Sequence, residues 1–253
     1  MKNTILSAKG LCKSFAHNGG QLHILSHIDT ELYEGELTVI MGASGSGKST
    51  LLYALSGMDR ATAGQVIYGG KDLVKLNEKE LAQLRCNDFG FIFQQMHLVS
   101  NLSLFENIAV SGYLNKSRSA AQVKERTEKL LGQMGIAHIK EHLPSQVSGG
   151  EQQRCAIARA VINEPKLLFA DEPTGALNRR NTTEVLDLLT ELNRSGQSIL
   201  MVTHDMRAAL RASRILYIAD GKIIGELCLP PYSADGEKSR EAQVSAWLNS
   251  MEW

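Results

Sequence analysis

The chain has 253 residues, long enough to bury a real core as one large domain or as a core with an insertion. Its 27 Lys and Arg balance 27 Asp and Glu, so bulk charge gives no reason to expect nucleic acid or an anionic membrane surface as a partner. Cys12, Cys86, Cys155 and Cys228 are scattered without a C-x-x-C pair, which suits reduced thiols better than a disulfide or zinc framework, and without a signal-peptide run or an 18-residue apolar stretch a soluble chain is expected.

The first 35 residues alternate polar and apolar, with turn residues at His17-Asn18-Gly19-Gly20 and Glu34-Gly35. They predict short, partly antiparallel strands over 5–11 and 22–32. Phe15, in the loop between, reads either as an aromatic that stacks on an adenine or as ordinary core. An apolar run over 37–41 then enters Gly42-Ala43-Ser44-Gly45-Ser46-Gly47-Lys48-Ser49-Thr50, a G-x-x-x-x-G-K-S pattern. Its glycines let consecutive N–H groups turn inward, and a helix beginning near Gly47 aims its positive dipole end at the same point. A polyphosphate belongs there, with Lys48 reaching the β- and γ-phosphates and the Ser49 hydroxyl holding Mg²⁺.

That helix is predicted to stop near Gly57, and 65–68 followed by Gly69-Gly70 reads as a strand and turn. Asn77 with Glu80 marks a helix start, carrying Leu81 and Leu84 on one face. The uninterrupted apolar run 89–93, bounded by Gln94-Gln95, suits a strand buried on both faces of a parallel sheet. From about 97 to 160 the pattern turns helical, with a capping box at Ser119 and Gln122 and a surface-facing lead-in over 102–108. Met96 and Phe105 read either as a partner patch or as core. Ser148-Gly149-Gly150 stands before a helical stretch over 151–161 and offers N–H groups to an anion, although a plain interhelical loop is the better reading of those three residues taken alone.

Residues 166–173 form an apolar strand ending in Asp171-Glu172-Pro173, where α/β sheets place ligands. Asp171 can bind Mg²⁺ and Glu172 can polarise a water. Asn181 with Glu184 is read as the cap of a helix with Val185, Leu188, Leu189 and Leu192 as its stripe. A strand over 198–202 delivers Thr203-His204-Asp205 to the same edge, and Asp220-Gly221 turns a hairpin between 214–219 and 222–224. After Pro230-Pro231, Val244, Trp247, Leu248 and Met251 recur at helical spacing, as in an amphipathic tail helix.

Taken together, these motifs resemble the nucleotide-binding subunits of ABC transporters, with 42–50 as Walker A, Gln94 as the Q-loop, 147–152 as the signature, 167–172 as Walker B and His204 as the switch histidine. The resemblance implies an α/β P-loop NTPase (RecA-like) core over 1–95 and 161–229 with an N-terminal antiparallel β-subdomain, an α-helical subdomain over about 96–160, and a tail over 230–253. It implies an ATPase using ATP and Mg²⁺. Residues 42–50 would cradle the phosphates, Ser49, Gln94 and Asp171 would hold the metal, and Glu172, His204, Gln94 and Lys48 would carry catalysis. Phe15 would stack on the adenine, and Ser148, Gly149 and Gly150 would contact ATP held by a second copy in a head-to-tail homodimer.

Two positions depart from the family's usual pattern: Val147 and Glu151 flank the signature where leucine and glutamine are common, and Asn178 stands where aspartate is usual at the dimer seam. The runs 91–95, 104–107 and 171–175 resemble the subfamily of macrolide exporters, lipoprotein-release ATPases and bacitracin-type peptide-resistance transporters. The expected role is the motor of a separate membrane permease, on the cytoplasmic face of the plasma membrane, moving antimicrobial peptides or lipid-linked cargo. The alternative is a regulatory ABC ATPase of the cell-division type. A DNA-repair or translation ABC protein would bring a coiled-coil insertion or tandem cassettes, which the sequence does not show, and nucleic acid is not an expected partner.

Overall fold

The computed structural model describes residues 2–17 and 20–251, so the turn expected at Asn18-Gly19 lies outside the described residues. In chain order the elements are β1 (Thr4–His17), β2 (Gly20–Tyr33), β3 (Leu37–Met41), α1 (Lys48–Leu55), β4 (Ala63–Tyr68), β5 (Lys71–Asp72), α2 (Glu78–Asn87), β6 (Phe89–Phe93), α3 (Leu104–Leu114) and α4 (Ala120–Gln133). They continue with α5 (Gly149–Val161), β7 (Leu167–Asp171), α6 (Arg179–Arg194), β8 (Ser198–Val202), α7 (Met206–Ala209), β9 (Arg214–Ala219), β10 (Lys222–Cys228) and α8 (Glu237–Ser250). The chain packs as two units, one running to Leu81 and resuming at Asn193, the other Ala82–Leu192. No helix among the described residues is long and apolar enough to cross a membrane.

In the first unit, β1 and β2 pair antiparallel and β4 and β5 extend them in the order β2-β1-β4-β5. Both long strands outrun the sequence expectation because their ladder continues through Ser14, Phe15 and Ala16, where side chains are half-buried or exposed and apolar alternation has ended. Leu6, Ala8, Leu11, Leu25, Ile28 and Leu32 line the buried face. The remaining strands lie in the order β10-β9-β3-β8, with β3 parallel to both neighbours. All five residues of β3 and of β8 are buried, as uninterrupted apolar runs require in a parallel arrangement. The register sets Ile40 opposite Val202, so Gly42 and His204 leave their strands at the same end.

The tail helix is held by Val244 and Leu248, both fully buried, and by Trp247, whose ring meets Tyr217 edge-on at 6.4 Å. Arg240, which the apolar spacing did not reveal, anchors its first half by donating to the carbonyls of Pro230 and Ala212.

In the second unit, β6 runs parallel to β7, with Phe91 stacked on Phe169 at 5.5 Å. Burial of β6 on both faces is corrected in part: Phe89 and Ile92 are buried but Phe91 and Phe93 only half so, and its ladder runs to β7 alone among the described residues of this unit. The lead-in to α3 is also corrected. Leu104 and Ile108 are fully buried beneath a Ser103–Glu106 capping box, while Met96 and Phe105 are half-buried. The Ser119–Gln122 box opens α4 as expected.

The cap of α6 moves three residues. Asn178, not Asn181, closes it: the Asn181 N–H donates to Asn178 Oδ1 at 3.0 Å, leaving Asn181 inside the first turn. Glu184 instead accepts from Arg154 at 2.8 Å and Arg180 at 3.1 Å.

Candidate active site

The cradle grows from the end of β3. A Cβ on Gly42 would fall 2.2 Å from the Ile218 carbonyl oxygen and 2.8 Å from Ser46 Oγ, so only glycine lets the chain leave the strand along this path. Lys48 is buried, and its Nζ donates to the Gly42 and Ala43 carbonyls at 2.8 Å each, pinning the loop's opening turn. Helix α1 begins after Gly47 with no side-chain cap and no acidic residue in its first turn, leaving the positive dipole end unopposed there. Ser46 Oγ is buried with no hydrogen-bond partner among the described residues. A buried hydroxyl without a partner is costly, and an anion's oxygen in the cradle would satisfy it. The loop therefore fits a polyphosphate.

On the same unit, Phe15 is 44% exposed, which removes the core reading. Lys13 Nζ lies 4.7 Å from its ring centroid and is itself held by Asp59 at 2.5 Å and the Arg60 carbonyl at 2.7 Å. The ring is thus backed by a cation that its π-face attracts, and it stands exposed as a stacking surface needs. His204 is exposed one residue beyond Thr203, whose N–H donates to the Ile40 carbonyl at 3.2 Å. Asp205 beside it caps α7 and takes Arg207 through both oxygens at 3.0 and 2.8 Å.

The second unit gathers the carboxylates. Register sets Phe93 opposite Asp171, so Gln94 and Glu172 are each the next residue along at one strand end. A Cβ on Gly175 would fall 2.8 Å from Gln94 Nε2, which puts that amide directly over the loop after Glu172. Glu172 has φ +46°, a left-handed backbone that a non-glycine residue rarely adopts, least of all before a proline. Such strain costs on the order of 1–3 kcal/mol and persists only where the surroundings impose it, here in a turn closed by the Gly175 N–H on the Glu172 carbonyl at 3.0 Å.

Ser148 caps α5, whose first two residues are Gly149 and Gly150. It shares a reciprocal box with Glu151: Ser148 Oγ donates to Glu151 Oε2 at 2.7 Å, and the Ser148 N–H donates to the same oxygen at 2.8 Å. The hydroxyl first and the backbone N–H second hold the Glu151 carboxyl below the usual carboxylate range. The sequence carried the signal for this pairing, since Ser followed three residues later by Glu is the capping pattern itself. Further along α5, Gln153 Nε2 donates to the Phe93 carbonyl at 3.3 Å, and Arg159 donates to the carbonyls of Met96 and His97 at 2.6 and 2.7 Å. The segment around Gln94 is thereby fastened to the helix that begins with the signature.

A sequence model of the family described as ABC transporter matches residues 25–175. The chain belongs to that family. Within it, the macrolide export ATP-binding/permease protein MacB of Pasteurella multocida is 38% identical over the whole chain, and MacB of Wolinella succinogenes is 42% identical over 88% of it. The chain spans 38% and 34% of the length of these two relatives. Among solved structures, the ATP-binding cassette MJ0796, a dimer in a post-hydrolysis state bound to ADP and Pi, superposes with TM-score 0.83 at 33% identity, over 90% of this chain and 100% of that one. The cassette cbiO1 from Clostridium perfringens, part of the cbiONQ transporter complex, reaches 0.80 at 27% identity, over 98% of this chain and 95% of that one. As a member of the ABC family with this cassette fold, the chain is an ATP-binding ATPase.

Proposed function

We propose that the chain is the motor of a membrane exporter, closing as a homodimer on two ATP molecules and opening after hydrolysis. In this reading residues 42–50 of one copy hold the phosphates, Phe15 stacks on the adenine, and Ser148, Gly149 and Gly150 of the other copy close the site. Ser49, Gln94 and Asp171 offer hydroxyl, amide and carboxylate oxygens, a donor set that suits Mg²⁺, and the ion would neutralise charge on the phosphates. Lys48 would exchange the Gly42 and Ala43 carbonyls for phosphate oxygens. Glu172 would orient the attacking water and take its proton as the new P–O bond forms and the bond to the β-phosphate bridge breaks, giving ADP and phosphate; His204 would steady the γ-phosphate.

The observation that carries the motor reading is the fastening of α5 to the segment around Gln94. That segment borders a cavity of about 430 Å³ lined by Phe91, Phe93, His97, Val99, Val110 and Leu114. Val99, Val110 and Leu114 are exposed, an apolar rim of the kind that marks a partner site. A permease segment seated there would push on carbonyls that Arg159 and Gln153 hold, and so on the signature helix. The cargo we assign is of antibiotic type, macrolides as named for the relatives or antimicrobial peptides, with the chain working at the cytoplasmic face of a membrane.

The deciding experiment is Glu172→Gln. Turnover should fall at least about 100-fold while ATP traps a dimer visible by light scattering. Undiminished ATPase activity would remove Glu172 from the chemistry, and a monomer at saturating ATP would remove the dimer.

A further inference from the structure

We infer that Asn181 is a positioning residue of the signature half-site, an inference that rests on the two-copy reading above. Gly150 is the second residue of α5 and does not have a positive φ, so nothing in its own backbone calls for glycine. Alanine would be the better helix former there. Yet a Cβ on Gly150 would fall 2.5 Å from Asn181 Cγ, 2.7 Å from Nδ2 and 2.8 Å from Oδ1. These are its three nearest atoms, and their near-equal distances mean that the amide presents its face to the position a Gly150 Cβ would occupy. Gly150 leaves the space in which the Asn181 amide sits, and a side chain there would displace that amide.

The rest of the contact is equally specific. The Asn181 backbone is held by its N–H on Asn178 Oδ1 at 3.0 Å, and Leu177 Cδ2 lies 3.7 Å from where a Cβ on Gly149 would stand. The first turn of the signature helix therefore rests on the first turn of α6 and the loop before it. A flat amide, rather than a methyl, sets the height and tilt of that turn. Asn178, Asn181 and Gly150 act as one support, with Asn181 carrying the α5 N-terminus at the angle the partner's nucleotide meets.

The test uses Asn181→Ala, Gly150→Ala and the pair together, each measured for turnover at saturating ATP, affinity of the monomer for a fluorescent ATP analogue, and thermal melting. Asn181→Ala should lower turnover about tenfold with monomer affinity unchanged, since only the approach of the second copy is misaligned. Gly150→Ala should cost more, about 100-fold, with a lower melting temperature from the clash. Combining the two should bring turnover and melting back to the level of Asn181→Ala, because the methyl enters space the amide has left. A double variant as inactive as Gly150→Ala, or Asn181→Ala at full turnover, overturns the inference. The two-copy reading fails on a different result, the absence of an ATP-dependent dimer in Glu172→Gln. If that dimer forms and Asn181→Ala in the same background leaves its ATP dependence unaltered, the two-copy reading stands and the role of Asn181 does not.

Discussion

The cradle at the start of α1 and the signature at the start of α5 are both helix N-termini suited to anions, yet they are finished differently. At α1 the cap is glycine, there is no acidic residue in the first turn, and a buried Ser46 hydroxyl lacks a partner among the described residues. At α5 the box is complete: Ser148 and Glu151 satisfy each other and a carboxylate already sits on the dipole. The first terminus is incomplete without a ligand, and the second is content without one. A phosphate should therefore bind the cradle first and reach the signature only when it can draw Ser148 away from Glu151. In the proposed two-copy reading, the difference gives binding an order, monomer loading before closure.

Four substitutions probe that contrast, in descending size of effect. Lys48→Ala should weaken nucleotide binding by about 100-fold, the upper range for charge-assisted hydrogen bonds, and hydrolysis with it, measured by titration with a fluorescent nucleotide. Tight binding by this variant would mean that Lys48 only pins the loop. Ser148→Arg should cut hydrolysis by about 100-fold while leaving monomer affinity within about twofold, because only closure is obstructed. Equal loss of both would erase the distinction between the two termini.

Glu151→Gln replaces a charge-assisted bond with a neutral one about half as strong, so ATP-driven dimerisation should tighten by about three- to fivefold. A looser dimer would show that the box is architecture rather than a latch. The same change has an acid-side signature. Because the folded state holds the Glu151 carboxyl below its ordinary range, its stabilisation is present above that range and is lost as pH falls through the lowered value. Glu151→Gln should flatten that limb of the stability profile, read by thermal melting against pH.

Asn178→Asp should change least. The cap is kept and a carboxylate gains the α6 dipole, adding roughly 0.3–1 kcal/mol to stability in a melt while turnover stays within about twofold. A large rise in turnover would restore a charge-dependent role for this position.

Much of the fold was legible because most segments declared themselves twice, by periodicity and by punctuation. The five buried residues of β3 and of β8, the Asp220-Gly221 turn and the Ser119–Gln122 box are of this kind. The losses occurred where two residues of the same chemistry compete. Asn178 and Asn181 have equal capping propensity three positions apart, and only the backbone path out of β7 decides between them. Strand ends near Phe15 were lost because ladder hydrogen bonds ignore side-chain polarity. At the site, motif spacing named the residues proposed to meet phosphate, but not those that hold them. Arg159 on the Met96 and His97 carbonyls, Asn181 over Gly150, and Asp59 with the Arg60 carbonyl on the Lys13 that backs Phe15 are contacts across large sequence separations, and no local pattern announces them.

The packing around Gly42 has a further consequence. What bounds the cradle there is the Ile218 carbonyl, and the turn at Gly221 adds a backbone tie, its N–H donating to the Ser46 carbonyl at 3.2 Å. Ala43, Ser44 and Gly45 meanwhile face outward. The mould is cast in main chain. Gly45, at φ +80°, is held to glycine by its backbone, but Ala43 and Ser44 are free to drift without altering the cavity's outline, which is why a site so demanding in shape can be written in so few obligatory letters.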